Sequence, residues 1–397
     1  MRRTLLSITL VLTGMAVGLL LSEITLRIVR FSYPPFHRPD LITGLSLRSN
    51  TSGWYGKEGH AYVTVNSQGL RDRERSIEKP PGTYRILVLG DSYVEALQVD
   101  IEKTFWRLLE KRLQECKFRP AKNIDFINLG VSGFGTGQAL RALQTRGLAY
   151  APDLVILALF PGNDIRNNSR ELEPDKVRPF YFLGPAGTLV LDDTFANSSE
   201  FRRRNSWIRQ AGKELSKYLR SLQLGYYVKD LIEIRRAAVP GAMKGPGQPQ
   251  VVGEMGLDDQ VFFEPQDEKW QRAWQLTERL ILELKKTAES AGSEFLLAIF
   301  SIGIQVHPEK AVREGFARRL GLEDLHYPDR RLSDFGQREK IHMINLTPAL
   351  AQYAEESKIY LHGFANTSMG SGHWNEAGHS AAAEIIGTQL CRARPRG

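Results

Sequence analysis

The stretch Tyr84–Glu95, YRILVLGDSYVE, decides the fold. Its first half, Tyr84–Gly90, is an apolar run ending in glycine, the pattern of a strand buried on both faces. Thr104–Cys116 follows with Phe105, Leu108, Leu109 and Leu113 at helical spacing. Asn123–Gly130 reads as a second strand, Gly137–Tyr150 as a second helix and Asp153–Phe160 as a third strand. This alternation predicts a parallel sheet with crossover helices. The rhythm resumes with a helix over Pro265–Gly292, strands over Glu294–Phe300 and Ile341–Leu346, and a closing helix over Asn375–Cys391. The expected class is α/β: a three-layer αβα sandwich around a mostly parallel five-stranded sheet. Its two parts, 84–165 and 264–391, flank an insertion at 166–263 placed at the carboxyl edge of the third strand, where such sheets keep their sites.

Thr4–Ser22 is nineteen residues without a charge, long enough to cross hydrocarbon as a helix. Arg2 and Arg3 precede it, which predicts a cytoplasmic N-terminus and a domain delivered outside the cytoplasm. No small-x-small site follows, so 1–31 reads as an uncleaved anchor rather than a cleaved signal peptide. Residues 32–83 are polar and rich in turn signals, with one short strand in AYVTVNS, and read as an appendage between membrane and domain.

The formal net charge of +8 is unevenly placed. Arg2, Arg3, Arg392, Arg394 and Arg396 sit at the two ends, the last three in the tail 392–397. Phe201–Arg220 holds seven Lys/Arg and one Glu, so the rest of the chain is slightly acidic. That distribution argues against nucleic acid as a partner, because phosphate binding spreads cations over a domain face. The basic segment also carries Trp207, Ile208, Leu215, Tyr218 and Leu219 at helical spacing. It reads as a solvated helix face, with an anionic membrane surface as the sharper alternative. AAVPGAMKGPGQPQVVGEMG, after it, reads as loop. The two cysteines, Cys116 and Cys391, fit either one disulfide or two buried thiols.

Chemistry gathers at the strand ends. The first strand ends Gly90-Asp91-Ser92, the second Asn128-Leu129-Gly130, the third Pro161-Gly162-Asn163-Asp164. Gly372-His373-Trp374-Asn375-Glu376-Ala377-Gly378-His379 precedes the last helix. In a parallel sheet these converge on one crevice, bringing together a serine, a backbone N–H, a carboxamide and a histidine. Those are the parts for acyl transfer: nucleophile, oxyanion donors and general base.

These four blocks, in this order, resemble the SGNH hydrolase superfamily, the GDSL-type esterases and lipases. The resemblance covers Tyr84–Asp164 and Glu294–Cys391, about half of the chain. It implies that Ser92 is the nucleophile and His373 the base. The N–H of Ser92, the N–H of Gly130 and the side chain of Asn163 would form the oxyanion hole, with Asp91 and Asp164 holding the loops. It implies an ester hydrolase without cofactor, acting on an acyl ester or acylated glycan outside the cytoplasm. O-acyl transfer to a cell-surface polysaccharide uses the same residues and is the alternative.

One part is missing. The family places an Asp two or three residues before the histidine, where this chain has Ser371 and Gly370. No acid lies between Lys358 and His373, which leaves Glu95 and Glu376 as candidate substitutes and raises a non-catalytic binding scaffold as a further alternative. His379 reads as structural, since its spacing from His373 fits no common ligand pattern, and no metal is expected. No G-x-S-x-G elbow occurs, which argues against an α/β-hydrolase. Gly133–Gly137 (GFGTG) is followed by Gln138 where a dinucleotide loop needs glycine, and it follows the second strand, so no nucleotide is expected.

Overall fold

The computed structural model describes residues 2–121, 123–238 and 257–392. Its centre is a five-stranded sheet, here numbered β1 (Thr83–Leu89), β2 (Asn123–Asn128), β3 (Leu154–Leu159), β4 (Glu294–Ile299) and β5 (Met343–Asn345). The spatial order is β5-β4-β3-β1-β2, and every pairing is parallel. The architecture is the expected α/β sandwich. Central β3 is buried at all six positions, which is why its sequence shows no polar alternation.

The helix Phe105–Glu115 packs on the closing helix Glu376–Arg392, and Glu268–Ser290 packs on Thr136–Thr145 and Pro161–Asn168. Right-handed crossovers put these two groups on opposite faces of the sheet. Because β1 leads to β2 on one side and lies beside β3 on the other, the crossovers diverge there. A crevice opens at the carboxyl ends of β1 and β3. The second predicted helix is shorter than expected, ending at Thr145 and closing with a 3-10 turn over Gly147–Tyr150.

Cys116 and Cys391 form a disulfide with a Cα–Cα distance of 6.3 Å, so the open choice between bridge and free thiols resolves to the bridge. It ties the end of the helix after β1 to the closing helix across 275 residues of sequence.

Residues 32–83 form more structure than their composition suggests. Two antiparallel hairpins, His37–Asp40 with Gly44–Leu47 and Thr51–Tyr55 with Ala61–Val65, bury Phe36, Leu47, Val63 and Val65 against Leu97. The segment is therefore bound to the loop after β1 by its own small core.

The helix Arg2–Ile28 is long and apolar enough to cross a membrane, with mean hydropathy 2.2 over its most apolar window and none of that window buried. Its end is tied to the insertion: Glu23 accepts from the Ser221 N–H at 3.0 Å, and Arg27 donates to the Tyr218 carbonyl at 2.6 Å. The basic segment is not one helix. Helices Ser199–Arg204 and Trp207–Ser216 break at Asn205-Ser206, and a third, Arg220–Ala238, begins after Leu219. Trp207 (78% exposed) and Tyr218 (70%) face outward, Tyr218 beside the apolar helix's end. The Gly/Pro-rich run after Ala238 and the tail after Arg392 lie outside the described residues.

Candidate active site

Ser92 stands at the first turn of a four-residue helix, Ser92–Glu95, directly after β1. Asp91 caps that helix, its Oδ1 accepting from the Tyr93 N–H at 3.0 Å. The other end is held from the N-terminal segment. The fully buried Arg71 guanidinium donates to the carbonyls of Glu95, at 2.9 Å, and of Ala96 and Val99. These carbonyls lie at and beyond the helix C-terminus, where a cation is favoured. Burial lowers the Arg71 pKa to about 10, so the group remains a cation at neutral pH. Asn128 and Trp106 both donate to the Val94 carbonyl, at 3.0 and 3.2 Å. The helix that carries the serine is thus fixed from four directions.

His373 Nε2 lies 2.7 Å from Ser92 Oγ. Its Nδ1 lies 2.5 Å from Glu58 Oε2, while Glu58 Oε1 accepts the His373 backbone N–H at 2.8 Å. One carboxylate thus fixes both the ring and the main chain of the histidine. Burial raises the Glu58 pKa, but the hydrogen bonds and charge of His373 outweigh it and leave the carboxyl below its ordinary value. An ionised Glu58 can only accept, which puts the proton on Nδ1 and leaves the Nε2 lone pair for the serine hydroxyl. The place left empty by the absent Asp is filled from 315 residues upstream.

Glu58 sits in the turn between Thr51–Tyr55 and Ala61–Val65. That turn is clamped: Gly59 N–H donates to Asn366 Oδ1 at 2.9 Å, and Asn366 Nδ2 donates to the Gly59 carbonyl at 3.0 Å. Gly59 has φ +67, and a Cβ there would lie 2.3 Å from the Gln98 carbonyl oxygen, so only glycine fits.

The two acids expected to substitute are elsewhere, which corrects that expectation. Glu95 is fully buried, but it pairs with His37 Nε2 at 2.7 Å and with Ser132 Oγ. Glu376 is exposed and pairs with Lys103 at 2.7 Å. Being near Ser92 or His373 in sequence did not decide the matter, because helical geometry turns both carboxylates to other faces.

The expected oxyanion donors are placed unevenly. Ser92 N–H lies at a helix start and has no intrahelical acceptor. Asn163, in the first turn of Pro161–Asn168, donates through Nδ2 to Asp91 Oδ2 at 3.3 Å, and its second amide hydrogen is not needed for that bond. Gly130 departs from expectation: its N–H is spent on Asn128 Oδ1 at 2.8 Å. Asp91 and Asp164 are both buried. Burial lifts Asp91 to about 6, and burial plus the charge of Asp91 pushes Asp164 well above the carboxylate range. Both carboxyls of the pair therefore hold their protons more firmly than free carboxylates do. Asp164 also accepts the Phe160 N–H at 2.9 Å, which holds the end of β3.

Sequence reading passed over His362. It is buried under the site, with Nδ1 at 2.7 Å from the Gly372 carbonyl and Nε2 at 3.3 Å from Ser301 Oγ. Tyr93 OH donates to that same carbonyl at 3.1 Å. Burial lowers the His362 pKa to about 4, so a neutral ring braces the residue before His373. His379 is also buried and neutral, its pKa lowered to about 3 by burial, and its Nδ1 accepts the Phe105 N–H at 3.2 Å. Among the described residues no group of three or more His, Cys, Asp or Glu is placed to hold a metal ion.

The arrangement is an acid–histidine–serine relay at the topological switch point of a parallel α/β sheet. No protein-family model and no curated protein matches the chain. Among solved structures it is similar to the acetyl xylan esterase AlAXEase, at 11% identity and TM-score 0.39 over 77% of this chain and 98% of that one. It is similar to TesA at 14% identity and TM-score 0.38, over 77% and 98% of the two chains. A GDSL-like lipase from Bacteroides thetaiotaomicron gives 9% identity and TM-score 0.34 over 81% and 93%.

Proposed function

We propose that this protein is a serine ester hydrolase that works through an acyl-Ser92 intermediate. The observation that carries the reading is the continuous hydrogen-bonded line from Ser92 Oγ through His373 to Glu58. His373 Nε2 takes the hydroxyl proton as Ser92 Oγ attacks the ester carbonyl. Ser92 N–H and the Asn163 amide stabilise the oxyanion, and one such donor is worth about a hundredfold or more in rate. Collapse breaks the ester C–O bond, and the imidazolium returns its proton to the leaving alcohol. Water, deprotonated by the same nitrogen, then releases the acid and restores Ser92. Glu58 holds the tautomer and faces the positive ring in both half-reactions.

The reading extends to place. The apolar helix with Arg2 and Arg3 at its start supports an anchor with the domain on the far side of the membrane. The Cys116–Cys391 bridge supports an oxidising compartment there. Labelling by a fluorophosphonate probe tests the chemistry: full-length protein reacts, Ser92→Ala does not, and His373→Ala reacts at least about a hundredfold more slowly. Equal labelling of Ser92→Ala refutes the proposal.

A further inference from the structure

Beside the triad lies a cleft of about 480 Å³, within the size range of ligand sites. One wall is the turn Tyr55–Gly56–Lys57, which runs directly into Glu58, together with Ser132, two residues beyond Gly130. The charge of Glu58 reaches Tyr55 and, with burial as the larger cause, raises its phenol pKa, so the cleft and the triad are electrostatic neighbours. The facing wall comes from the insertion helices.

Among the described residues six cations line the cleft: Arg38, Lys57, Arg204, Arg209, Lys213 and Lys229. One carboxylate among the described residues, Asp230, joins them, and it is held by Tyr33 OH at 2.6 Å and Lys57 at 3.5 Å. Arg204 is paired outside the cleft, with Asp175 at 3.0 Å and Glu200 at 2.8 Å. Lys213 is half-buried. Burial, then Arg48 and Lys229, lower its pKa, while Asp230 opposes them. Like charges crowded into a partly dry cleft cost free energy that a bound anion returns. Three aromatic residues, Trp54, Tyr55 and Tyr226, line the cleft together with the cations; one face of Trp54 is stacked on His60 at 4.5 Å between centroids.

We propose that this cleft binds successive carboxylate-bearing sugar units of an acidic glycan and presents an ester on that glycan to Ser92. The pattern is what that ligand requires. Aromatic planes cover the apolar faces of pyranose rings, and cations spread over both walls meet charges repeated along a chain. A single phosphate group would want its cations gathered at one point. The substrate class rests on the hydrolase reading above, but binding is tested separately from turnover.

The probe is unsubstituted oligogalacturonate, titrated by calorimetry into detergent-solubilised full-length Ser92→Ala protein. Saturable binding is expected, weakened about tenfold or more by about 0.5 M NaCl, where the Debye length falls to about 4 Å. Adding Arg209→Gln and Lys213→Gln weakens it about tenfold again, while each single change weakens it less. Binding unaffected by the double substitution in a folded protein overturns the assignment. So does equal affinity for neutral xylo-oligosaccharide, or direct binding of phosphatidylglycerol vesicles by a protein that ignores oligogalacturonate. Turnover separates the two readings: with active Ser92, kcat/KM for acetylated oligogalacturonate exceeds that for acetylated xylo-oligosaccharide about tenfold at low salt. Absence of Ser92-dependent turnover would sink the hydrolase reading and leave the binding result standing or falling alone.

Discussion

Glu58→Gln keeps the shape of the side chain and removes its charge, so it isolates what the carboxylate does for His373. The amide has two ways to sit. If its carbonyl keeps the His373 backbone N–H, its NH2 faces Nδ1. The ring must then carry its proton on Nε2, pointing at Ser92, and the base is lost; the corresponding amide in a Ser-His-Asp protease costs about four orders of magnitude. If the amide turns over, the carbonyl meets Nδ1, but the backbone N–H now held at 2.8 Å faces a donor, which costs about 1–3 kcal/mol. The imidazolium formed in the transition state also loses its counter-charge, about 4 kcal/mol at 4 Å and an effective dielectric constant near 20. Either arrangement amounts to about 5 kcal/mol or more, so kcat falls about 10³- to 10⁴-fold. KM stays within about threefold, because Glu58 touches the histidine rather than substrate. The assay is p-nitrophenyl acetate hydrolysis over a substrate range, with circular dichroism to establish folding. Glu376→Gln serves as the control and changes kcat less than about twofold, since its exposed bond to Lys103 is worth little. A folded Glu58→Gln enzyme that retains more than a tenth of wild-type kcat refutes the reasoning.

Asp164→Asn tests the buried carboxyl pair. Asp91, raised to about 6, and Asp164, raised well above its ordinary value, hold protons in the folded state that the unfolded chain releases near pH 4. Wild-type stability from this pair therefore falls as pH rises from about 4 through about 6. The variant falls less, so its thermal midpoint relative to wild type is higher at pH 8 than at pH 4.5; a difference independent of pH rules this out. Gly130→Ala places a Cβ 2.5 Å from the Val94 Cβ and displaces the helix bearing Ser92. Fluorophosphonate labelling is expected to slow at least about tenfold, and wild-type labelling contradicts the packing argument. Cys116→Ser with Cys391→Ser removes a bridge closing 275 residues and lowers stability by about 2–5 kcal/mol. In that variant dithiothreitol no longer shifts the melting midpoint; an unchanged midpoint relative to wild type contradicts it.

The sheet was legible because parallel strands buried on both faces announce themselves as apolar runs, and Leu154–Leu159 is the clearest case. Ser92 was legible for a related reason, because in such a sheet a strand's carboxyl end fixes where the next residue stands, and His373 was legible from its place just before the closing helix. Glu58 was not, since it belongs to a hairpin turn whose only local mark is an acid between Gly56 and Gly59. Long-range docking of that turn on Asn366 and Gln98, rather than any local pattern, delivers the carboxylate. The Gly130 N–H shows the opposite limit. Position in sequence pointed it at the crevice, but the side chain of Asn128, two residues back, takes the donor. The basic segment looked like one amphipathic face and proved to be several short helices, because Ser206 begins a new helix where the old one ends.

The clamped turn around Glu58 makes this a composite centre whose parts come from opposite ends of the chain. Sheet, serine and histidine can all be in place while the assembly is still inert. On the hydrolase reading proposed above, a chain cut between the second hairpin and β1 is expected to stay inactive until its other fragment docks. In refolding, helical signal should therefore return before turnover does. Completion of the Ser92–His373–Glu58 line reports that the first sixty residues have come home.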